Sequence, residues 1–482
     1  MLIDFNNLKK KIYDYEFLNY DIIVIGAGPA GIVLCDYIKK NDNSIKLLLI
    51  EKGGYSNFSY SRIYSSFLKI KNDSRVFGVG GTSNVWSGIS SVFTKSELTD
   101  YNSKNCKWPL IYSDLLKYYR KIDNKYQFYL KEILQKNTTN KTFLERKFIG
   151  SKSPINFKNF VNINKYDLLY NCNVQYIDEK NKIPFIKINI KKDKLLIIKA
   201  KKIILTCGGI ETSSLIIRSL KNRYLEKLTN KPYVGKYFMD HPKGNICKIL
   251  YPNNNVIKYE LKNRFNKYYY TGLSFKDSEK KNRNFLNSYF RFEDCYFKDQ
   301  LFKLRYNFFN LKIFRLVLDV CHLLIFISLK IVNLNFFYKI YNVRIFCEMK
   351  PNIKNSIDIN KSDFTPIIKL NFSEEDIKTI NELQKKIILF FSKSPEKENI
   401  LKINNKNIIK IFATASHHCG GTIYSKDKKK AIVDKNLKIK GLHNIYICSS
   451  SVFPTSGSAN PTPTICALAI RLSEHLVMSF KR

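Results

Sequence analysis

The chain has 482 residues, 44% of them hydrophobic, which is enough for a substantial core in two interleaved domains and excludes an intrinsically disordered chain. Its formal net charge of +42 invites a polyanion-binding reading, but lysine far outnumbers arginine, the bidentate phosphate reader, and lysine, asparagine and isoleucine are spread along the whole sequence. That is a compositional bias rather than a binding stripe, so nucleic acid is not an expected partner, whereas an anionic substrate or membrane surface stays compatible with it. Eleven cysteines without a CxxC pair read as reduced, small apolar side chains of a cytoplasmic protein; no metal ligand set is visible, and residues 1–7 lack the basic-then-apolar pattern of a secretion signal.

In chain order, residues 21–25 form a short apolar strand run that breaks into Gly26-Ala27-Gly28-Pro29-Ala30-Gly31, continues as a helical pattern to about Lys40, and returns as an apolar run before Glu51. Gly26 permits the tight turn, Gly28 lets backbone approach a pyrophosphate, and Gly31 lets helix pack on strand, while the helix N-terminus offers free N–H groups. Glu51 falls where a carboxylate grips a ribose hydroxyl, so the unit reads as a dinucleotide site. Glu51-Lys52-Gly53-Gly54 points to FAD, as does a second glycine cluster at 77–88, where Gly80, Gly81, Thr82, Ser83 and Asn84 are expected to bring amides and hydroxyls to an extended cofactor.

Alternating patterns around Lys187 and Pro366 read as strands. The apolar, aromatic segment 308–337 is interrupted by Arg315, Asp319 and Lys330, so it is too charged to span a bilayer. It reads either as a buried helix pair or as an interfacial helix making peripheral membrane contact, for instance to reach a lipid-linked sugar. Near the end, Ala415-Ser416-His417-His418-Cys419-Gly420-Gly421-Thr422 joins a titratable imidazole to a glycine-tightened loop, and Asn460 follows just before a helix that opens with Pro461 and Pro463. A proton acceptor with an amide partner needs this pairing; Asn460 reads alternatively as a simple helix cap.

These landmarks resemble the glucose-methanol-choline (GMC) oxidoreductases nearly end to end. The likeness rests on the Gly26 to Glu51 unit, Gly80-Gly81-Thr82-Ser83, Lys107-Trp108-Pro109, the stretches 204–212 and 234–242, and the tail from Ala415 to His475, which is most like the sugar-oxidising branches. The resemblance implies an α/β fold with a discontinuous Rossmann-type FAD-binding domain (18–93, 190–245 and 415–482) and a sheet-containing α+β substrate or cap domain (94–189 and 246–414). It implies oxidation of an alcohol or sugar hydroxyl by hydride transfer to flavin N5, with a histidine base and Asn460 holding the hydroxyl. His417 is favoured as that base over His418, because the family loop runs His-x-x-Gly to Gly420. Gly208, Ser450, Asn460 and Thr462 are expected around the cofactor, and His241, in Met239-Asp240-His241-Pro242, is expected to be structural.

Departures sharpen these expectations. Val85 stands where some similar sugar oxidases attach FAD through a histidine, so the flavin is expected to be non-covalent. Ser449 and Tyr424 replace the Gly or Asp and the Met usual in relatives. The electron acceptor, oxygen or another, is not legible. The alternative reading is a flavin-binding protein of this fold that acts as a lyase, or as a basic membrane-surface protein without net redox activity.

Overall fold

The structure is a computed structural model, and it describes residues 1–8, 20–98, 108–122, 124–135, 142–191, 194–252, 262–264, 266–294, 338–392, 400–403 and 412–481, with isolated positions at 317, 320, 321 and 324. Four parallel strands set the first sheet in the order Asp167–Tyr170, Leu47–Ile50, Tyr20–Ile25 and Lys194–Leu205, with Leu2–Asp4 parallel at the outer edge. The strand Lys194–Leu205 does two jobs. Its second half lies between Tyr20–Ile25 and Ile445–Ile447, both parallel, while its first half turns into an antiparallel extension with Ile183–Lys191 and Val174–Lys180. Ile22, Ile23 and Val24 are fully buried, as a strand covered on both faces must be. The helices Pro29–Asn41, Gly208–Lys221 and Pro461–Phe480 each expose only a narrow strip and carry buried aliphatic residues along most of their length.

A second sheet is antiparallel and runs Lys262–Arg264, Lys267–Ser274, Tyr289–Asp294, Tyr338–Phe346, Lys243–Pro252 and Ile400–Ile403, with Leu144–Ser151 pairing Lys267–Ser274. The helix Glu374–Ser392 packs on it: Phe143 and Phe390 meet edge to face with ring centroids 5.3 Å apart, and Gln384 Nε2 donates to Ile246 O at 3.4 Å. A small sheet of Tyr64–Phe67, Pro366–Leu370 and Ser356–Ile359 lies alongside.

The α/β class and the two-part architecture follow the expectation, but the boundaries shift. Asp167–Tyr170, Val174–Lys180 and Ile183–Lys191, expected in the cap range 94–189, belong to the first sheet, as does Leu2–Asp4, which lies before residue 18. Lys243–Pro252 begins the second sheet inside the range 190–245. Alternation of apolar and polar residues marks a strand without naming the sheet it joins, and that choice is made by pairing partners far away in sequence. Of the segment 308–337, only Val317, Val320, Cys321 and Leu324 are described, all exposed, and the helix-pair and membrane readings otherwise lie outside the described residues. Among the described residues no helix is long and apolar enough to cross a membrane.

Candidate active site

The first glycine turn is built as its spacing requires. Gly26 sits at φ +109°, and a Cβ on Gly31 would lie 2.1 Å from the Gly26 carbonyl oxygen, so helix and turn touch through bare backbone. The Gly28 Cα faces open space, with no atom within 4 Å of a Cβ built there, and the same holds at Gly208. Both glycines line a cavity of about 520 Å³ whose wall includes Cys172, Val174, His417 and Asn460. Glu51 is buried beside it, and its carboxylate accepts from the N–H groups of Ala27 (2.9 Å), Gly53 (2.9 Å) and Gly78 (3.0 Å). Burial nevertheless raises its pKa, against the pull of those donors.

Gly81, Thr82, Ser450 and Thr462 also line the cavity, with Ser449 and Val85. Gly80, Ser83 and Asn84 lie outside this lining. Ser83 Oγ donates to Gly80 O at 2.6 Å and accepts from Phe157 N at 2.9 Å, and Asn84 Nδ2 donates to Gly81 O at 2.7 Å. A Cβ on Gly80 would meet Asn156 Oδ1 at 2.4 Å. The side chains of this tight loop are consumed in holding its own carbonyl groups and the neighbouring turn, leaving Gly81 and Thr82 to face inward.

At the other end, Asn460 occupies the N-cap position of the helix Pro461–Phe480 without making a side-chain cap bond. Its Nδ2 lies 3.3 Å from His417 Nε2 instead. The cap alternative for its side chain therefore does not hold. His417 Nδ1 in turn meets His241 Nδ1 at 2.9 Å, and His241 Nε2 meets Ser456 O at 3.1 Å. A carbonyl oxygen only accepts, so His241 carries its proton on Nε2 and offers Nδ1 as an acceptor; His417 then donates from Nδ1, and its Nε2 holds a lone pair beside Asn460. Burial, then His241, Lys243, His418 and Arg291, hold the His417 imidazole well below its usual pKa, which keeps that lone pair free at neutral pH.

His418 lines the same cavity but points elsewhere, with Nε2 3.4 Å from Ser74 Oγ and 3.6 Å from Asp240 Oδ2. Burial, then Arg75, bring its pKa down to about 3, so it is a neutral side chain here. Its carbonyl accepts from Ser450 Oγ at 2.6 Å, and Gly209 packs beneath it so closely that a Cβ would lie 2.5 Å from that oxygen. His241, expected to be structural, touches His417, and Asp240, to which the sequence assigned no role, holds the same loop. Asp240 Oδ1 accepts from the N–H groups of His241 (2.6 Å), Ala415 (3.1 Å) and His417 (3.2 Å), fixing the histidine loop, while burial raises its carboxyl to about 6. The signal available was the Met-Asp-His-Pro run itself, whose partner lies 176 residues away.

Four cations sit along the cavity: Lys52, Lys71, Arg75 and Arg218. Arg75 pairs with Glu211 and keeps a buried Nε without a hydrogen-bond partner among the described residues, and Arg218 donates to Val174 O at 2.7 Å. Burial, then Arg75 and Arg218, lower Lys52 to about 8. Two open glycine faces, a helix N-terminus and four cations, Arg75 among them buried, suit an extended dinucleotide with an anionic centre. Arg146 braces the floor: its guanidinium pairs with Glu97 at 2.7 Å and donates to Ser458, and Ser458 N donates to Glu97 Oε1 at 2.6 Å, two residues before Asn460.

Residues 351–469 match the GMC oxidoreductase C-terminal family. Near-complete overlays exist with solved structures of that kind: pyridoxine 4-oxidase from Mesorbium loti (TM-score 0.61, 12% identity, 95% of this chain and 99% of that one) and a formate oxidase variant from Aspergillus oryzae RIB40 (0.63, 14%, 97% and 99%). A fungal aryl-alcohol oxidase overlays with TM-score 0.58 at 13% identity, covering 96% of this chain and 100% of that one. The match of residues 351–469 and the overlays give this chain the fold of the GMC oxidoreductases. Among characterised sequences, the large subunit of a fructose dehydrogenase from Gluconobacter japonicus is 30% identical over 71 residues, a stretch that spans 15% of this chain and 13% of that subunit. Such a short match, and overlays at so low an identity, fix the GMC fold and leave the choice of substrate to the residues of the cavity.

Proposed function

We propose that this protein oxidises the CH–OH group of an alcohol or sugar, with FAD held non-covalently in the cavity, His417 as proton acceptor and Asn460 as the amide that holds the reacting hydroxyl. The observation that carries the reading is the 3.3 Å approach of Asn460 Nδ2 to the unprotonated His417 Nε2 inside the cavity lined by Gly26 and Gly28. When bound, FAD supplies the two-electron acceptor for the carbinol hydride. The protein's own share is to position the hydroxyl between Nε2 and Nδ2 and to take its proton onto Nε2, so that no free alkoxide forms. His241 accepts from His417 Nδ1–H throughout, which keeps the reactive lone pair on the cavity side.

Val85 offers no nucleophile to the flavin edge, which supports a dissociable cofactor. Gly26, Gly28, Gly81 and Gly208 would give it backbone approach, with Glu51, Thr82, Ser450 and Thr462 beside it. Anaerobic addition of a panel of alcohols and sugars should bleach the flavin absorbance. His417→Ala should keep its FAD and lose about 10²–10⁴-fold in the rate of that bleaching. Full-rate bleaching in His417→Ala overturns the assignment, and a flavin that no member of the panel reduces overturns the oxidation reading in favour of a lyase-type role.

A further inference from the structure

We propose that the site carries a subsite for an oxyanion, so that the oxidised alcohol also bears a carboxylate or phosphate group; this rests on the oxidation reading above and names its substrate class. Three adjacent strands of the second sheet bring cations to the neighbourhood of His417, just outside the lining of the cavity that holds it. Asn245, Arg344 and Arg291 stand directly opposite one another across Lys243–Pro252, Tyr338–Phe346 and Tyr289–Asp294, and Arg344 Nε donates to Asn245 Oδ1 at 2.8 Å. The two guanidiniums share one carboxylate, Glu293, at 2.6 Å each. One charge is thereby left uncompensated.

Lys243 lies in the next row, opposite Phe346, and is two residues beyond His241, whose ring touches His417. Its backbone exchanges both hydrogen bonds with Ala413 while Ala415 N donates to His241 O, so the lysine borders the strand that leads into the histidine loop. It is partly buried and makes no ion pair or side-chain hydrogen bond among the described residues. Burial, then Arg344 and Arg291, lower its pKa, the mark of a cation kept without its counterion. Lys71, exposed on the cavity wall, adds a further cation within electrostatic reach of it. Against these stand Glu293 and, on the turn after Lys71, Asp73, so the cations remain in excess.

Beside them is a buried aromatic cluster of Phe148, Tyr289 and Phe346, with Tyr270 against it. Arg291 lies 4.5 Å from the ring centroids of both Tyr270 and Phe346, and Phe346 stacks on Tyr289 at 5.1 Å. A partly desolvated lysine with no partner is costly in an empty site and favourable when an oxyanion meets it, which is how a pocket of this kind selects its ligand. An uncharged alcohol would leave Lys243 as it stands.

The test titrates FAD-loaded protein with sodium acetate and with sodium phosphate, each against sodium chloride at matched ionic strength, reading flavin absorbance and heat of binding. At least one anion should bind saturably, acetate marking a carboxylate subsite and phosphate a phosphate one. Lys243→Gln should weaken that binding by about tenfold or more, and Lys71→Gln by less, with unchanged FAD content. Absence of saturable binding by either anion, or wild-type affinity in Lys243→Gln, overturns the subsite. A flavin reduced by neutral alcohols but indifferent to both anions removes the subsite and leaves the oxidation reading standing; anion binding to a flavin that no alcohol reduces does the reverse.

Discussion

At the glycine end the cavity wall is main chain: Gly26, Gly28, Gly81 and Gly208 present bare backbone, and the Glu51 carboxylate is held by three N–H groups. At the histidine end the wall is side chain, His417 and Asn460, with His241 and Asp240 holding His417 from behind. Backbone geometry tolerates any side chain that does not enter the space, so the first end is sensitive to volume. The second end depends on which atom donates and which accepts, so it is sensitive to chemistry at nearly constant volume.

Replacing Gly28 should separate the two most sharply. A Cβ there meets nothing within 4 Å, so Gly28→Val should fold with the stability of the unaltered apoprotein while filling cofactor space, and its FAD affinity should fall by about a hundredfold or more. Equal flavin content in variant and parent would break the comparison. Next in size is Glu97→Ala, which leaves Arg146 charged, buried and without its carboxylate; unfolding free energy should drop by about 3–5 kcal/mol in a denaturant titration. Burial works against ionisation of Glu97, but Arg146 and the Thr94 and Ser458 N–H groups hold its carboxyl at about 2. The stability contributed by this carboxylate is therefore present above the ordinary value of 4.5 and lost as pH falls toward 2.

A smaller and more diagnostic change is His241→Leu, which removes the acceptor for His417 Nδ1–H. Flavin reduction should slow by about tenfold with little change in FAD content, and His241→Asn, whose amide oxygen can accept in place of Nδ1, should recover most of it. Equal rates in the Leu and Asn variants would reduce His241 to packing. The smallest expected effect is one of pH. Since burial and the surrounding cations lower the His417 pKa, its lone pair stays available as pH falls through 6.5, and the reduction rate should be flat there. A single titration centred on the unperturbed imidazole value would contradict the buried geometry.

How much of this was legible in the sequence follows the same division. The turn at Gly26, Gly28 and Gly31 was readable because spacing alone dictates where backbone must touch backbone. The second glycine cluster announced a loop, yet gave no sign that Ser83 and Asn84 turn away while Thr82 turns inward, since one residue of register decides it. His417 and Asn460 stood out as a titratable group and an amide. His241 did not, because its meaning comes from a hydrogen bond to a residue 176 positions away. The row of Asn245, Arg344 and Arg291 was invisible for a related reason: strand register places them together, and their spacing along the chain carries no trace of it.

One consequence of the first sheet concerns the order in which the protein can be made. The strand Ile445–Ile447 joins Lys194–Leu205 on the side away from Tyr20–Ile25, and the helix Pro461–Phe480 packs against Pro29–Asn41. The glycine turn is therefore made long before the strand and helix that pack beside it. Pro461, Thr462 and Ile465 supply cavity wall only once that helix is in place, so a chain cut short before Asn460 should bind flavin more weakly.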